Sequence, residues 1–376
     1  MPIRADADAA DWLTLSFLPG LGCTLVNRLV EAAGTPGALL EPGGAAKTLP
    51  EVRAPVLTLL ADQGQVAAAR ERAQRELDRL AALDITLLTP GSEHYPQALR
   101  FFPDRPVLLY CRGDLRLLAR PAVAIVGSRT ATKYGLRVGA MLAAELAALD
   151  ITIVSGAAYG IDAAAHRAAL AAGGATVAVL GCGVDIAYPR AHAGLLAEIA
   201  ASGLVLSEFP LGTPPEGFRF PVRNRIISGL ARGVVVVEAT ERSGSLITAR
   251  LALDQGREVF AVPGRIDSPQ SVGTHRLIQQ GAQLVQTEAD ILEGISWAAA
   301  AGSASTPPLP APARLEVTAA EQRFLDRLDT YPRDIDTLVR QTGLDLAEIH
   351  TLLLQLELKG LVRQLPGQQY ERVGPR

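Results

Sequence analysis

Several short stretches of small residues, some carrying hydroxyls, are suited to hold an anion. They are Gly127-Ser128-Arg129-Thr130, Ser155-Gly156-Ala157, Gly181-Cys182-Gly183 and Ser243-Gly244-Ser245, the last preceded by Arg242. Glycine lets the backbone approach an anion closely, serine adds a short donor, and a helix starting there contributes the positive end of its dipole. Between the third and fourth stretches lies Phe218-Arg219-Phe220-Pro221-Val222-Arg223-Asn224-Arg225, where three arginines interleave with two phenylalanines. Arginine meets phosphate with a planar fork and also stacks on bases. The phenylalanines could stack as well, or serve as core residues that fix the loop. Residues 211–276 hold nine Arg against six Asp or Glu, a local net charge of +3. After the glycines of the third stretch, Tyr188-Pro189-Arg190 either brings a ring and a cation to the same place or starts a helix with Pro in its first turn. These residues together read as a site for a phosphate backbone.

Two enzyme classes use similar loops. A dehydrogenase needs G-x-G-x-x-G, but Gly181-x-Gly183 is followed by Ile186 where the third glycine belongs, and no acidic residue ends the second strand to hold a ribose. Phosphoribohydrolases acting on cytokinin nucleotides use P-G-G-x-G-T-x-x-E, with the Glu doing acid–base work. Here Val262-Pro263-Gly264-Arg265 and Gly273-Thr274-His275-Arg276-Leu277-Ile278 keep the Gly-Thr but lack that Glu. Such an enzyme on the same fold remains the alternative to a binding module. Asp162 and His166, four apart on a helix, could orient one another, either for chemistry or as a structural hydrogen bond. His94, His192 and His350 have no partners at ligand spacing and read as surface or core residues, so no metal is expected.

These loops require a sheet to align them. Short β-branched runs at Val123–Val126, Ile151–Val154, Thr176–Leu180, Leu204–Leu206, Val234–Val237, Val259–Val262 and Gln283–Val285 alternate with helix-length segments near 134–149, 160–172, 191–202, 222–231, 245–255 and 274–280. That alternation predicts an α/β fold, a Rossmann-like doubly wound parallel sheet covered on both faces. The loops then gather at the carboxyl ends of the strands. Ile85–Leu88 and Val107–Tyr110 are expected to add strands. The chain has 376 residues, 48% of them hydrophobic, and a net charge of −3, so any anion site must be local. Only Lys47, Lys133 and Lys359 are lysines; the abundance of Arg, Ala, Gly and Pro fits a GC-rich genome, and a lone arginine signals little. Cys23, Cys111 and Cys182 lie in no metal or redox spacing, which suits a reducing cytosol. The N-terminal residues do not form a signal peptide, and no apolar run is long enough to cross a membrane. A cytoplasmic protein is expected.

Residues 1–84 read as a small helical domain. Leu18-Pro19-Gly20-Leu21-Gly22 between helical patterns suggests a helix-hairpin-helix, whose turn either receives a phosphate or simply joins packed helices. The Rossmann-like core is assigned to 85–297, and the Pro- and Ala-rich stretch 298–313 to a flexible linker. Residues 314–376 read as a winged helix: Thr318 and Glu321 form a capping box, Ile335–Gln341 and Asp345–Lys359 give two further helices, and a hairpin turns at Pro366-Gly367. Its recognition helix opens Asp345-Leu346-Ala347-Glu348, and residues 315–373 hold ten acidic against seven basic residues. This wing is expected to contact protein, not DNA.

Taken in order, these motifs resemble the DNA-processing protein A (DprA, also called Smf) family. The likeness runs through Gly127-Ser128-Arg129 with Tyr134-Gly135, Ser155-Gly156 with Gly160-Ile161-Asp162, Gly181-Cys182-Gly183 with Tyr188-Pro189, Phe220-Pro221-Val222-Arg223-Asn224-Arg225-Ile226-Ile227 and Arg242-Ser243-Gly244-Ser245-Leu246-Ile247-Thr248-Ala249. The resemblance implies a homodimer that binds single-stranded DNA with little sequence preference. It further implies that the protein hands incoming DNA to the RecA recombinase in natural transformation, without catalysis or cofactor. Three departures stand out: Tyr159 where the family usually has Arg, His275 for Asn after Gly-Thr, and Leu211 breaking a pair of prolines.

Overall fold

The computed structural model describes residues 8–43, 54–295, 318–325, 328, 333–359, 361–365 and 369–372. Two compact units divide at residue 300. In the first, β1 (Thr86–Leu88), β2 (Leu109–Gly113), β3 (Ala122–Val126), β4 (Thr152–Ser155), β5 (Thr176–Leu180), β6 (Leu204–Ser207), β7 (Gly233–Val236), β8 (Glu258–Ala261) and β9 (Gln283–Leu284) form one sheet. Its order is β1-β2-β6-β5-β4-β3-β7-β8-β9. From β6 to β9 all neighbours are parallel, while β2 joins β6 and β1 joins β2 antiparallel. The two early apolar runs thus extend a doubly wound sheet as an antiparallel edge.

The residues explain this arrangement. β3 (AVAIV) and β5 (TVAVL) are buried at every position, as strands covered on both faces must be. Helices α7 (Lys133–Ala148) and α8 (Ile161–Ala171) place Leu142, Leu146 and Ala165 against Val123, Ile125 and Ile153. On the opposite face α10 (Arg219–Leu230) and α11 (Gly244–Asp254) set Ile226, Ile227 and Ala249 against Val126, Val154 and Val236. The core is completed by α9 (Ala193–Ser202), α12 (Val272–Gln279) and α13 (Glu288–Gly294). The chain winds outward from β3 through β4 and β5 to β6, then returns to β7 on the other side of β3. That reversal is the switch point of the sheet, where the carboxyl ends of adjacent strands open a crevice.

Ahead of the sheet come α1 (Ala9–Phe17), α2 (Cys23–Ala33), α3 (Pro36–Leu40), α4 (Ala54–Ala61), α5 (Gln63–Ala82) and, after β1, the single turn α6 (Gln97–Arg100). Trp12, Leu13, Leu29 and Leu80 share one apolar cluster with Leu180, Leu196, Ile199 and Leu211, so the core is continuous across the 84/85 boundary. Buried Glu76 of α5 accepts the Leu211 N–H at 2.7 Å. Leu211 therefore stands where a proline, lacking that donor, would lose the bond. Past the exposed hairpin turn, α2 is tied to the segment before β2: Cys23 Sγ reaches Asp104 O at 3.5 Å, and Asn27 Nδ2 donates to Arg105 O at 2.8 Å.

The second unit contains α14 (Ala319–Leu325), α15 (Ile335–Thr342), α16 (Leu346–Leu358) and a sheet of β10 (Arg333–Asp334), β12 (Gln369–Arg372) and β11 (Val362–Leu365). Beyond the expected hairpin, β10 adds a third strand. Phe324, Leu338, Ile349, Leu353, Leu356 and Tyr370 form its core. Thr318 and Glu321 make the reciprocal capping box, and Glu321 also accepts from Lys359 Nζ at 2.7 Å. Asp345 and Glu348 cap α16, holding two carboxylates at its N-terminus. The 298–313 linker and the Pro366-Gly367 turn lie outside the described residues.

Because the apolar cluster spans both segments, removing residues 1–84 is expected to expose it. The truncated protein should melt several degrees lower than the full chain and bind an apolar dye in its native baseline. An unchanged melting temperature without dye binding would mean the helical segment is merely appended.

Candidate nucleic-acid interface

A cleft of about 580 Å³ opens at the switch point. The loop after β3 supplies Gly127, Ser128, Arg129 and Thr130, and the loop after β7 supplies Thr240, Ser243, Gly244 and Ser245. Phe220, Arg223 and Asn224 of α10 form a wall, with Tyr188 at one end. A small recess adjoins it, lined by Gly156, Tyr159, Gly181, Tyr188, Phe220 and Arg223. Of the predicted site residues, then, Gly127, Ser128, Arg129, Gly156, Gly181, Tyr188, Arg223, Asn224, Ser243, Gly244 and Ser245 come together.

The floor is a buried charge. Arg223 is only 4% exposed, and its Nη1 donates to Gly156 O at 3.0 Å and to Val179 O. Burial lowers its pKa to about 10, opposed by the charge of Asp162. Gly156 lies between the two: a Cβ there would sit 2.6 Å from Arg223 Nη2 and 2.7 Å from Asp162 Oδ2. No larger residue fits. Arg223 can therefore project positive potential into the cleft, but its hydrogen-bonding capacity is partly spent on carbonyls, and it is less a surface phosphate clamp than the sequence suggested.

Two of the expected anion sites are already filled by the protein's own carboxylates. Asp162 Oδ2 accepts from Gly156 N at 3.2 Å and Ala158 N at 3.3 Å, using backbone donors expected for phosphate. Burial raises its pKa against the pull of Arg223 and those donors. Glu238, just past β7, accepts from Thr132 N at 2.8 Å and Thr132 Oγ1 at 2.6 Å at the start of α7. The start of α11 remains open: Ser243 Oγ lies 2.8 Å from Ser245 Oγ, and nothing approaches a Cβ placed on Gly244. Across from it, exposed Arg129 holds its guanidinium 5.3 Å from the Phe220 ring centroid. Phe220 in turn stacks on Tyr188 at 5.4 Å and 30°. Gly181 must be small because Phe220 would lie 2.9 Å from its Cβ.

Other expected contacts go elsewhere. Arg225, 8% exposed, pairs with Glu208 at 2.7 Å and Asp104 at 3.4 Å and does not line the cleft. Its position two residues after Arg223 turns it to a different side of α10. Arg219 pairs with Glu216 at 2.9 Å and donates to Pro214 O at 2.6 Å. Ser155 is buried and donates to Ile125 O at 2.6 Å, while the Gly183 N–H donates to Thr213 O at 3.0 Å. Arg190 and Arg242 are exposed but lie outside the cleft lining. His166 does not pair with Asp162; its Nδ1 lies 2.7 Å from Thr176 Oγ1, and burial lowers its pKa to about 3. Sequence reasoning missed Thr240 in the lining and the blocking roles of Asp162 and Glu238. Only the acidic residue two positions after β7 hinted at the last of these.

The family model for DNA recombination-mediator protein A matches residues 86–296, and that for the DprA winged helix domain matches 306–368. Protein Smf of Escherichia coli is 42% identical over 316 residues, covering 83% of this chain and 84% of its own. The crystal structure of DNA processing protein A from Streptococcus pneumoniae aligns with TM-score 0.59 and 38% identity over 73% of this chain and 98% of its own. A structure of the Helicobacter pylori protein, described for its single-stranded DNA binding mode, aligns with TM-score 0.52 and 34% identity, covering 57% of this chain and 96% of that one. Among the described residues no helix is long and apolar enough to cross a membrane, and no cluster of His, Cys, Asp or Glu could hold a metal.

Arg225→Ala would leave Glu208 buried without its cation. A stability loss of about 3–5 kcal/mol is expected, the scale for breaking a buried pair. Chemical denaturation measures it. A stable variant with weakened DNA binding would return Arg225 to the interface.

Proposed function

The chain belongs to the DNA recombination-mediator protein A family, and from that premise we propose that it binds single-stranded DNA in the switch-point cleft without reading its sequence. The observation that carries this reading is the grouping of Arg129, the Tyr188–Phe220 stack and the open, serine-capped start of α11 around one cleft. A phosphate facing Arg129, Ser128 and Ser243–Ser245 would meet charge-assisted and hydroxyl donors together. An unpaired base could lie against the aromatic stack, which favours any base because every base has a π-face. The neighbouring Helicobacter pylori structure, described for its single-stranded DNA binding, supports the same choice of ligand.

The protein acts by binding, not catalysis. It holds incoming DNA for the RecA recombinase during natural transformation and recombination, as a homodimer joined through the Rossmann-like core. Family membership supports these roles. The exposed Arg190 and Arg242 guide the strand outside the cleft, and the winged helix makes protein contacts.

Titration of labelled oligonucleotides at two salt concentrations tests the cleft. Arg129→Ala is expected to lower single-strand affinity by about 1–3 kcal/mol. Binding should weaken steeply with salt yet change little among sequences. Wild-type affinity in the variant, or a flat salt response, would reject the assignment.

Deleting residues 298–376 should leave single-strand affinity within about threefold, since the lost segment contributes no favourable net charge. A loss of about tenfold, or duplex binding by the wing, would show that it reads DNA.

A further inference from the structure

We propose that the shallow groove between α7 and α8 is a second stretch of the DNA path, carrying the single strand onward from the cleft. This rests on the cleft reading above. Leu136 and Ala140 of α7 face Ala164 and Ala168 of α8 to form a smooth, mostly apolar floor. Small alanine side chains leave this surface flat. Arg129 and Arg167 supply its cations, both exposed, and among the described residues no carboxylate lines the groove and no ion pair engages either arginine.

The groove is continuous with the cleft because Arg129 and Thr130 line both. Tyr159 stands at the junction with the recess, 48% exposed, its ring held edge-on to buried His192 at 4.9 Å. An apolar floor bordered by unpaired cations suits a ligand that presents apolar faces and anionic groups along one chain. A single strand does so with its bases and phosphates; a duplex hides its base faces. A cleft of about 580 Å³ is the size of a pocket for one drug-sized ligand, so it holds one or two nucleotides. Single-strand binders such as OB folds cover about 4–16 nucleotides each, more than such a cleft holds, and the remainder needs a surface. The groove supplies one that begins at the same arginine.

The test uses the full chain with labelled oligothymidylates of about 2 and about 30 nucleotides, the shorter filling only the cleft and the longer exceeding a single binding site. Arg167→Glu should weaken the long oligonucleotide by about fivefold or more and leave the short one within about twofold, while Arg167→Lys stays near wild type. A photoreactive thymidine near the end of the long strand should crosslink to residues 159–168. Arg129→Ala is expected to weaken both lengths; if it weakens neither, the cleft reading fails, whatever Arg167 does. The groove proposal is overturned if Arg167→Glu leaves the long oligonucleotide at wild-type affinity. It is also overturned if both lengths weaken equally, which would indicate only a change in the overall field.

Discussion

The cleft depends on one buried guanidinium. Arg223 gives up water to bond the carbonyls of Gly156 and Val179 while Asp162 balances its charge. An ion buried this way is tolerated only when its donors and charge are both answered. The requirement fixes several residues at once. Gly156 has no room for a side chain, Asp162 is drawn onto the backbone N–H groups of Gly156 and Ala158, and α10 is pinned to the ends of β4 and β5. Phe220, one turn earlier on α10, is thereby held over Gly181, where its ring stacks on Tyr188 and supports Arg129. The exposed cation Arg129 is thus placed through a chain of contacts that begins below the floor.

The same helix shows why arginines close in sequence have different roles. Arg223 and Arg225 are separated by two positions, about 200° around a helix, so their side chains leave opposite sides. Arg223 reaches the strand ends; Arg225 reaches Glu208, Asp104 and the Sγ of Cys23 in α2. One therefore organises the cleft, while the other joins the sheet edge to the N-terminal helices. Each is satisfied locally. Of the two arginines that line the cleft, Arg223 is therefore answered within the protein and Arg129 stands exposed.

Much of the fold was legible because its signals are local. Alternating β-branched runs and alanine-rich helices identified the parallel strands, and Gly-Ser loops identified the edge where the cleft forms. Gly156 and Gly181 do lie at that edge, although their need to be small comes from Arg223 and Phe220, both distant in sequence. What the sequence could not reveal was which carboxylates would occupy the loops. Asp162 precedes His166 at helical spacing and invites a pairing, but the folded chain aims it back at Gly156 instead. Glu238 lies more than a hundred residues from Thr132, whose donors it takes. Leu211 looked like a departure from pattern and proved to be a seam residue, its N–H bound to Glu76 of α5. Such pairings depend on long-range contact, which periodicity and spacing do not encode.

A protein with net charge −3 can still retain a polyanion if the positive potential is concentrated where the ligand lies. The carboxylates nearest the cleft oppose that potential only weakly, because Asp162 faces Arg223, Glu238 holds Thr132, and Glu208 holds Arg225. Each engages a donor of the protein and so contributes less to the field outside. Arg129 remains exposed above an aromatic surface, where a cation keeps its charge for a phosphate and its plane for a base. Stacking requires an unpaired base, whereas a duplex offers phosphates with its base faces buried in the helix. On the proposed reading, one exposed guanidinium beside one ring surface would select strandedness through geometry, while neither element distinguishes one base from another.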